Sequence, residues 1–310
     1  MTVLITGGAG YVGTQLIAQL VKMPAVAKII VYDNLSRDNY NLFLGHSLQL
    51  SSKNQGVKVE FAQGELLNTR KLRQYVNEAD VVYHLAAKVL TPFSNTDGHA
   101  YEQTNHWGTA ELVYAVEDAP NVQKLIYLSS TSVYGSSYAD EDTLPSPQTI
   151  YGISKFRGEE HVKRLFGKIP TYILRCGNVY GYNKSLRFDA VINRFMFEAN
   201  FKRRISIYGD GEQRRSFVSI QKVGDILFAL INHDLPSDTY NLVEKNLQIL
   251  DIVDVVKAIY FDLEFIFVNR HLSLRELSVD TDLKLFQFLP SWEESSLLDE
   301  MEAFRTEFSF

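Results

Sequence analysis

The segment Thr6-Gly7-Gly8-Ala9-Gly10-Tyr11-Val12-Gly13 constrains the fold of this chain more than any other stretch. It closes a short apolar run, Val3–Thr6, and opens an amphipathic one, Val12–Lys22, so a predicted strand leads through glycines into a predicted helix. Gly7, Gly10 and Gly13 stand in Gly-x-x-Gly-x-x-Gly spacing. In that context the glycines serve a tight turn, a close backbone approach to a pyrophosphate, and close packing of helix on strand. Free N–H groups at the helix start then face the phosphates. Asp33 lies 20 residues beyond Gly13, at the end of the next predicted strand. A carboxylate there accepts hydrogen bonds from ribose hydroxyls and repels a 2′-phosphate, which favours NAD over NADP. Arg37 is a nearby cation that would tolerate such a phosphate.

The same alternation continues along the chain. Apolar runs at Lys28–Tyr32, Lys58–Phe61, Val81–His84, Leu125–Leu128 and Tyr172–Leu174 predict strands, and they lack the in/out alternation of a half-exposed sheet. Helical patterns at Asn68–Val76, Thr104–Glu117 and Tyr151–Phe166 lie between them. The expectation is an α/β fold with a Rossmann-type doubly wound parallel sheet. Beyond Arg175 the rhythm loosens into helical patterns at Phe188–Asn200, Val223–Asn232, Ile249–Tyr260 and Ser291–Phe304, with strand-like pieces at Ile205–Tyr208 and Phe265–Val268. Residues 1–174 are read as an NAD-binding domain that carries the catalytic residues, and 175–310 as a smaller C-terminal α/β substrate-binding lobe. Part of 216–245 is expected to pack back on the first domain.

Composition excludes several classes of function. A net charge of -6 argues against nucleic acid, which needs a basic surface. No apolar run reaches the ~20 residues that span a bilayer. One cysteine, Cys176, excludes an internal disulfide and fits a cytoplasmic protein, as does a chain that enters a strand at once and leaves no room for a signal peptide. Cys176 reads as a small buried residue, since nothing places a base beside it. No metal ligands are assigned.

Tyr151 and Lys155 are four apart at the start of a helical stretch, so both project from one face. A tyrosine of ordinary pKa ~10 is a poor base at neutral pH. A neighbouring ammonium stabilises the phenolate and lets it exchange a proton with a substrate hydroxyl. Ser130, in Leu128-Ser129-Ser130-Thr131-Ser132-Val133-Tyr134-Gly135, follows an apolar strand and reaches the carboxyl edge of the sheet. Its hydroxyl can bond the same substrate oxygen that Tyr151 deprotonates, while Ser129, Thr131 and Ser132 would satisfy loop backbone groups.

The ordered set of the glycine segment, His84-Leu85-Ala86-Ala87, Asn105 before Gly108-Thr109, Ser130 ahead of Val133-Tyr134-Gly135, and Tyr151-x-x-x-Lys155 resembles the extended short-chain dehydrogenase/reductase family. Within it the chain resembles the NAD-dependent sugar-nucleotide epimerase and dehydratase branch, typified by UDP-glucose 4-epimerase. The resemblance covers nearly the whole chain. It implies Ser130, Tyr151 and Lys155 as catalytic residues, with Tyr151 and Lys155 also on the nicotinamide ribose. It implies cofactor contacts from Gly7, Gly10, Tyr11, Val12 and Gly13, from Asp33 and Asn34, from Glu65 and Leu66, from Leu85, Ala86 and Ala87, and support from Asn105. It also implies a homodimer through the helices near Thr104–Glu117 and Tyr151–Phe166.

On the substrate side, Arg175-Cys176-Gly177-Asn178-Val179-Tyr180-Gly181 resembles a family segment whose asparagine, here Asn178, contacts a nucleotide diphosphate. Arg215, in Gly209–Val218, matches a diphosphate-binding arginine, and its planar fork suits phosphate oxygens. A second such arginine is expected before Leu277–Val279; Arg270 and Arg275 both fit, Arg275 with the better spacing. Ser130, Thr131 and Arg187 are expected to border the sugar. Ser216 and Glu65 stand where the family usually has aspartate, and Leu242–Asn246 lacks the family's glycine-rich turn.

The shared first step of the branch is oxidation of a sugar hydroxyl. The branch's 4,6-dehydratases carry an acidic residue directly before Val-Tyr-Gly, where this chain has Ser132, preceded by Thr131. Neither hydroxyl serves as an acid at neutral pH, so dehydration is disfavoured and 4-epimerisation through a transient 4-keto sugar is expected. The alternatives are a 4-keto-sugar-nucleotide reductase using NAD(P)H, another sugar-nucleotide oxidoreductase, or a non-catalytic dinucleotide sensor, for which a tuned phenol has no use.

Overall fold

The computed structural model describes residues 1–44, 56–89, 97–135, 137–270 and 275–308. Its centre is a seven-stranded sheet in which every pairing is parallel, in the order Asp238–Leu242, Thr171–Cys176, Lys124–Ser130, Val81–His84, Thr2–Thr6, Lys28–Asp33, Lys58–Gln63. Successive residues of one strand enter opposite faces and both are buried. Leu4, Val82 and Leu125 pack under the helices Thr69–Val76 and Gly108–Glu117, while Val3, Ile5 and Ile126 join the core with the helices Tyr11–Leu20 and Ile220–Ala229. That explains the near-continuous apolar runs, each fully buried Leu or Ile contributing about 1.5–3 kcal/mol.

The six strands expected from apolar runs are all present. The seventh, Asp238–Leu242, was not legible because Asp238, Thr239 and Asn241 interrupt its apolar pattern. Asn241 is nevertheless fully buried, and its side-chain oxygen accepts a hydrogen bond of 2.7 Å from the Tyr134 hydroxyl. A helix was expected without a break over Thr104–Glu117; instead Glu102–Trp107 forms a wide π-turn before the α-helix Gly108–Glu117. The last helix starts at Leu297, six residues later than the helical pattern at Ser291 suggests, because Trp292 is drawn aside to stack edge-on against Phe286 at 4.8 Å.

Beyond Cys176 the chain builds a second apolar core around Phe195, Met196, Phe217, Ile252 and Met301. A three-stranded sheet, in the order Lys245–Gln248, Arg214–Ser219, Asn178–Tyr180, leads into it. The unexpected serine in this sheet has a structural part: the Ser216 hydroxyl donates to Asn246 at 2.7 Å, and Asn246 bonds the backbone of Val279 in both directions at 2.7 and 3.0 Å. No helix among the described residues is long and apolar enough to cross a membrane.

Candidate active site

The strand order reverses between Thr2–Thr6 and Val81–His84, and ligands of open α/β sheets bind at the carboxyl side of such a switch point. A cleft of about 780 Å³ opens there and runs on between the sheet edge and the second core. Gly7, Gly10, Tyr11, Val12 and Gly13 line one end of it. Gly7 has φ +70°, and a Cβ there would meet the Ala86 Cα at 2.6 Å; one on Gly13 would meet the Gly8 Cα at 2.5 Å. The loop therefore needs glycine for left-handed backbone at one point and for strand-to-helix contact at the other. The helix Tyr11–Leu20 has no capping side chain and no acidic residue in its first turn, so its N–H groups are free for an anion.

Asp33 holds this loop from the next strand. Its carboxylate accepts from the Ala9 N–H at 3.0 Å and the Leu35 N–H at 2.8 Å, while burial pushes its pKa up. Asn34 donates to both oxygens of Glu65 at 3.1 Å, and the Tyr32 hydroxyl donates to the Glu65 carbonyl at 2.8 Å, which clasps the two loops at this end. Leu66, Leu85, Ala86 and Ala87 complete the wall. Arg37 also lines the cleft, but its guanidinium reaches toward Asp189, 3.7 Å away. The shape fits a dinucleotide: a glycine cradle without room for Cβ atoms, free helix N–H groups and a carboxylate at the second strand.

Asn105 stands behind the wall of the cleft. It is fully buried and absent from the cleft wall; its amide bonds both the N–H and the carbonyl of Lys88, at 2.8 and 2.9 Å, and donates to Ser154 at 3.0 Å. The π-turn places it there, so it holds the loop after Ala87 from behind. Buried His84 is similarly structural: Thr6 lies 2.7 Å from Nδ1 and Thr109 2.9 Å from Nε2, and burial lowers its pKa to about 3.

Ser130, Thr131, Tyr151 and Lys155 meet in the middle of the cleft. Ser130 caps the short helix Thr131–Tyr134; its Oγ accepts from the Ser132 N–H at 3.2 Å and from the Ser132 hydroxyl at 2.8 Å. Burial raises the Tyr151 pKa, while the Ser130 hydroxyl and Arg187 lower it. Lys155 donates to the Leu128 carbonyl at 2.6 Å and lies 4.3 Å above the Tyr127 ring. Burial brings its pKa down to about 7, with Glu159 opposing. Cys176 also lines the cleft, and burial pushes its thiol up to about 12, which leaves it inert at neutral pH.

Asn178, Arg187, Arg215 and Arg275 line the far half. Asn178 donates to the Ser216 carbonyl at 3.0 Å. Arg187 is already engaged, forking onto Asp189 at 2.8 and 3.2 Å. Arg215 donates to the Arg214 carbonyl at 2.9 Å and has no ion pair among the described residues; burial and then Arg275 lower its pKa to about 10. Arg275 has a buried Nη1 with no hydrogen-bond partner. Two neighbouring cations with no ion pair among the described residues, and only Glu276 acting on Arg215 in their favour, form a receptor for a multiply charged anion. Of the two arginines left open by spacing, Arg275 is in the cleft, whereas Arg270 lies 5.0 Å over the Phe267 ring.

Sequence reasoning missed Arg194, whose Nη2 donates to the Ser206 carbonyl at 3.0 Å beside the Tyr208 ring, and Gln213, which donates to the Tyr208 carbonyl at 3.2 Å. Both line the cleft and no spacing rule marks them. It also missed Glu159, although Lys155-x-x-x-Glu159 was a legible pattern on one helix face.

Residues 3–242 match the NAD dependent epimerase/dehydratase family. The chain belongs to that family. It is thus an enzyme of the extended short-chain dehydrogenase/reductase type with NAD as its cofactor. It is 32% identical to a mouse dTDP-D-glucose 4,6-dehydratase over 247 residues, covering 77% of this chain and 67% of that one. It is 30% identical to the uncharacterized UDP-glucose epimerase YtcB of Bacillus subtilis over 268 residues, covering 84% and 82%. Among solved structures, the UDP-glucuronic acid 4-epimerase of Bacillus cereus in complex with UDP-glucuronic acid and NAD superposes with a TM-score of 0.84 at 28% identity, covering 99% of this chain and 98% of that one. Epimerases and dehydratases both stand among the relatives, so similarity narrows the chemistry to this family and no further.

Proposed function

We propose that this member of the family is a nucleotide-sugar 4-epimerase. The observation that carries the reading is the lack of a carboxylic acid beside Tyr151. The wall next to Ser130 presents Thr131 and Ser132. The carboxylates lining the cleft are Asp33 and Glu65 at the adenosine end and Asp189, which Arg187 holds below the usual carboxylate range despite burial. The residues outside the described set contain no Asp or Glu at all. Elimination of water from a 4-keto sugar requires an acid at the departing hydroxyl, and no free one is at hand.

NAD, when bound, supplies a hydride acceptor that can return the hydride. The glycine loop and Asp33 would hold its adenosine half, and Ala86, Ala87 and Lys155 its other end. Tyr151 takes the proton of the sugar 4-hydroxyl and later gives it back, Ser130 hydrogen-bonds the same oxygen, and Lys155 supplies positive charge to the phenolate. Arg215 and Arg275 bind the diphosphate and leave the sugar free to turn about its link, so that either face of the 4-keto carbon meets the same site. The diphosphate anchor argues for a nucleotide sugar over a free sugar.

The domain division is read on the same basis: residues 1–174 with the strand Asp238–Leu242 hold the cofactor, and the remainder holds the substrate. The helices Gly108–Glu117 and Ile150–Val162 are the surface we assign to a homodimer, with Trp107 half exposed beside them; equilibrium sedimentation at the mass of one chain would rule it out. Cytoplasmic location is part of the same reading. The function itself is tested by incubating the protein with UDP-, dTDP-, GDP- and CDP-sugars without added cofactor. Interconversion of C4 epimers supports it. Stoichiometric consumption of added NADPH would instead favour the reductase.

A further inference from the structure

One buried charge pair stands directly behind the catalytic residues and has no part in the mechanism above. Glu159 is fully buried, one turn beyond Lys155 on the helix Ile150–Val162. Its Oε1 accepts from the Ser129 hydroxyl at 2.5 Å and from Arg175 Nε at 3.1 Å, and its Oε2 accepts from Arg175 Nη2 at 2.8 Å. Ser129 is the neighbour of Ser130, and Arg175 precedes Cys176 and leads by Gly177 into Asn178. The guanidinium of Arg175 in turn covers the Tyr134 ring at 4.7 Å, and Tyr134 is bonded to Asn241 of the edge strand.

We propose that Glu159 is a positioning residue of the active site: its carboxylate ties the helix of Tyr151 and Lys155 to the strands that carry Ser130 and lead to Asn178, and sets a buried negative charge one turn from Lys155. Removing a buried charge from water is costly, and a pair so buried persists where its geometry is needed. Here the fork is fully used: both carboxylate oxygens are bonded, and the third bond goes to the residue beside the catalytic serine. The charge argument rests on what surrounds Lys155. His84, Tyr127 and Cys176 face it from the neighbouring strands, and Tyr151 from its own helix; Arg187 acts on Tyr151 from the second lobe. His84 is held neutral and Cys176 remains a thiol, so neither strand supplies an anion at neutral pH. Glu159 is thus the carboxylate that offsets the desolvation of Lys155, which otherwise favours the neutral amine.

The inference rests on the assignment of Tyr151 and Lys155 in the proposed function, but its test needs no substrate. Lysines labelled at Cε with carbon-13 are titrated in the folded protein, and Lys155→Met identifies the Lys155 signal, which is expected to stand apart because burial brings its pKa down to about 7. Glu159→Gln is expected to move that midpoint down by about one pH unit, and Glu159→Asp to leave it near its place, since the aspartate keeps the charge. A midpoint unmoved by Glu159→Gln, or moved equally by Glu159→Asp, overturns the proposal. Glu159→Gln leaves the Arg175 cation buried and unpaired, so the variant can fail to fold. Glu159→Gln/Arg175→Met removes both charges and keeps the test open: the Lys155 midpoint again falls if the carboxylate holds it, and stays if it does not. A wild-type protein that epimerises no nucleotide sugar would refute the proposed function without touching these midpoints.

Discussion

Tyr151→Phe is expected to lower kcat by about 10²–10⁴-fold, the range that positioned acid–base groups contribute. The phenol is the group in the cleft able both to take and to return the proton of a sugar hydroxyl, and Phe keeps the ring that packs edge-on against Tyr101 at 6.3 Å. The fold and the cofactor site should therefore survive, because Ser130 has its own partner in Ser132 and Lys155 has the Leu128 carbonyl. The measurement is kcat for epimer interconversion together with dinucleotide released on denaturation. Unchanged turnover would remove Tyr151 from the chemistry, and loss of dinucleotide together with activity would show that the ring hydroxyl serves binding instead.

Arg215→Gln is expected to raise KM for the nucleotide sugar by ~10–100-fold, from the 1.5–3 kcal/mol of a hydrogen bond to a charged group and 1.4 kcal/mol per tenfold. The free protein should be no less stable for the change. Burial and the neighbouring Arg275 both disfavour the charge of Arg215, with Glu276 opposing, so replacing Arg215 removes a cation the free cleft does not favour. A loss of substrate affinity with unchanged or raised melting temperature is thus the signature of an anion receptor. A drop in melting temperature of the kind caused by losing a structural ion pair would contradict it. Isothermal titration with UDP and a thermal melt of the same sample decide between them, and added salt should weaken the wild-type affinity.

The strands, the glycine turn and the meeting of Ser130, Tyr151 and Lys155 in one cleft were legible because each depends on local rules: apolar runs for covered strands, glycine where a Cβ has no room, and hydroxyl, phenol and amine at short spacings. What escaped was set by contacts distant in sequence. The strand Asp238–Leu242 is too polar to read as covered, and its burial is made tolerable by Tyr134, which stands 107 residues away from Asn241. Asn105 supports the loop after Ala87 from within a π-turn, which no pattern in the sequence marks. The Leu128 carbonyl as partner of the Lys155 amine, and Arg187 as a group acting on the Tyr151 phenol, likewise come from parts of the chain that no local rule connects. The departures at Glu65 and Ser216 find local explanations, one clasped by Asn34 and the other bonded to Asn246.

The central claim is 4-epimerisation without net oxidation or loss of water. The most direct test is to incubate the purified protein, with no added cofactor, with UDP-, dTDP-, GDP- and CDP-sugars and follow the sugar C4 signals by NMR. The account predicts that at least one of these approaches a fixed ratio of two C4 epimers, with no accumulation of reduced dinucleotide and no 6-deoxy product. Formation of a 4-keto-6-deoxy sugar would contradict it, because that reaction needs the acid that Thr131 and Ser132 do not provide.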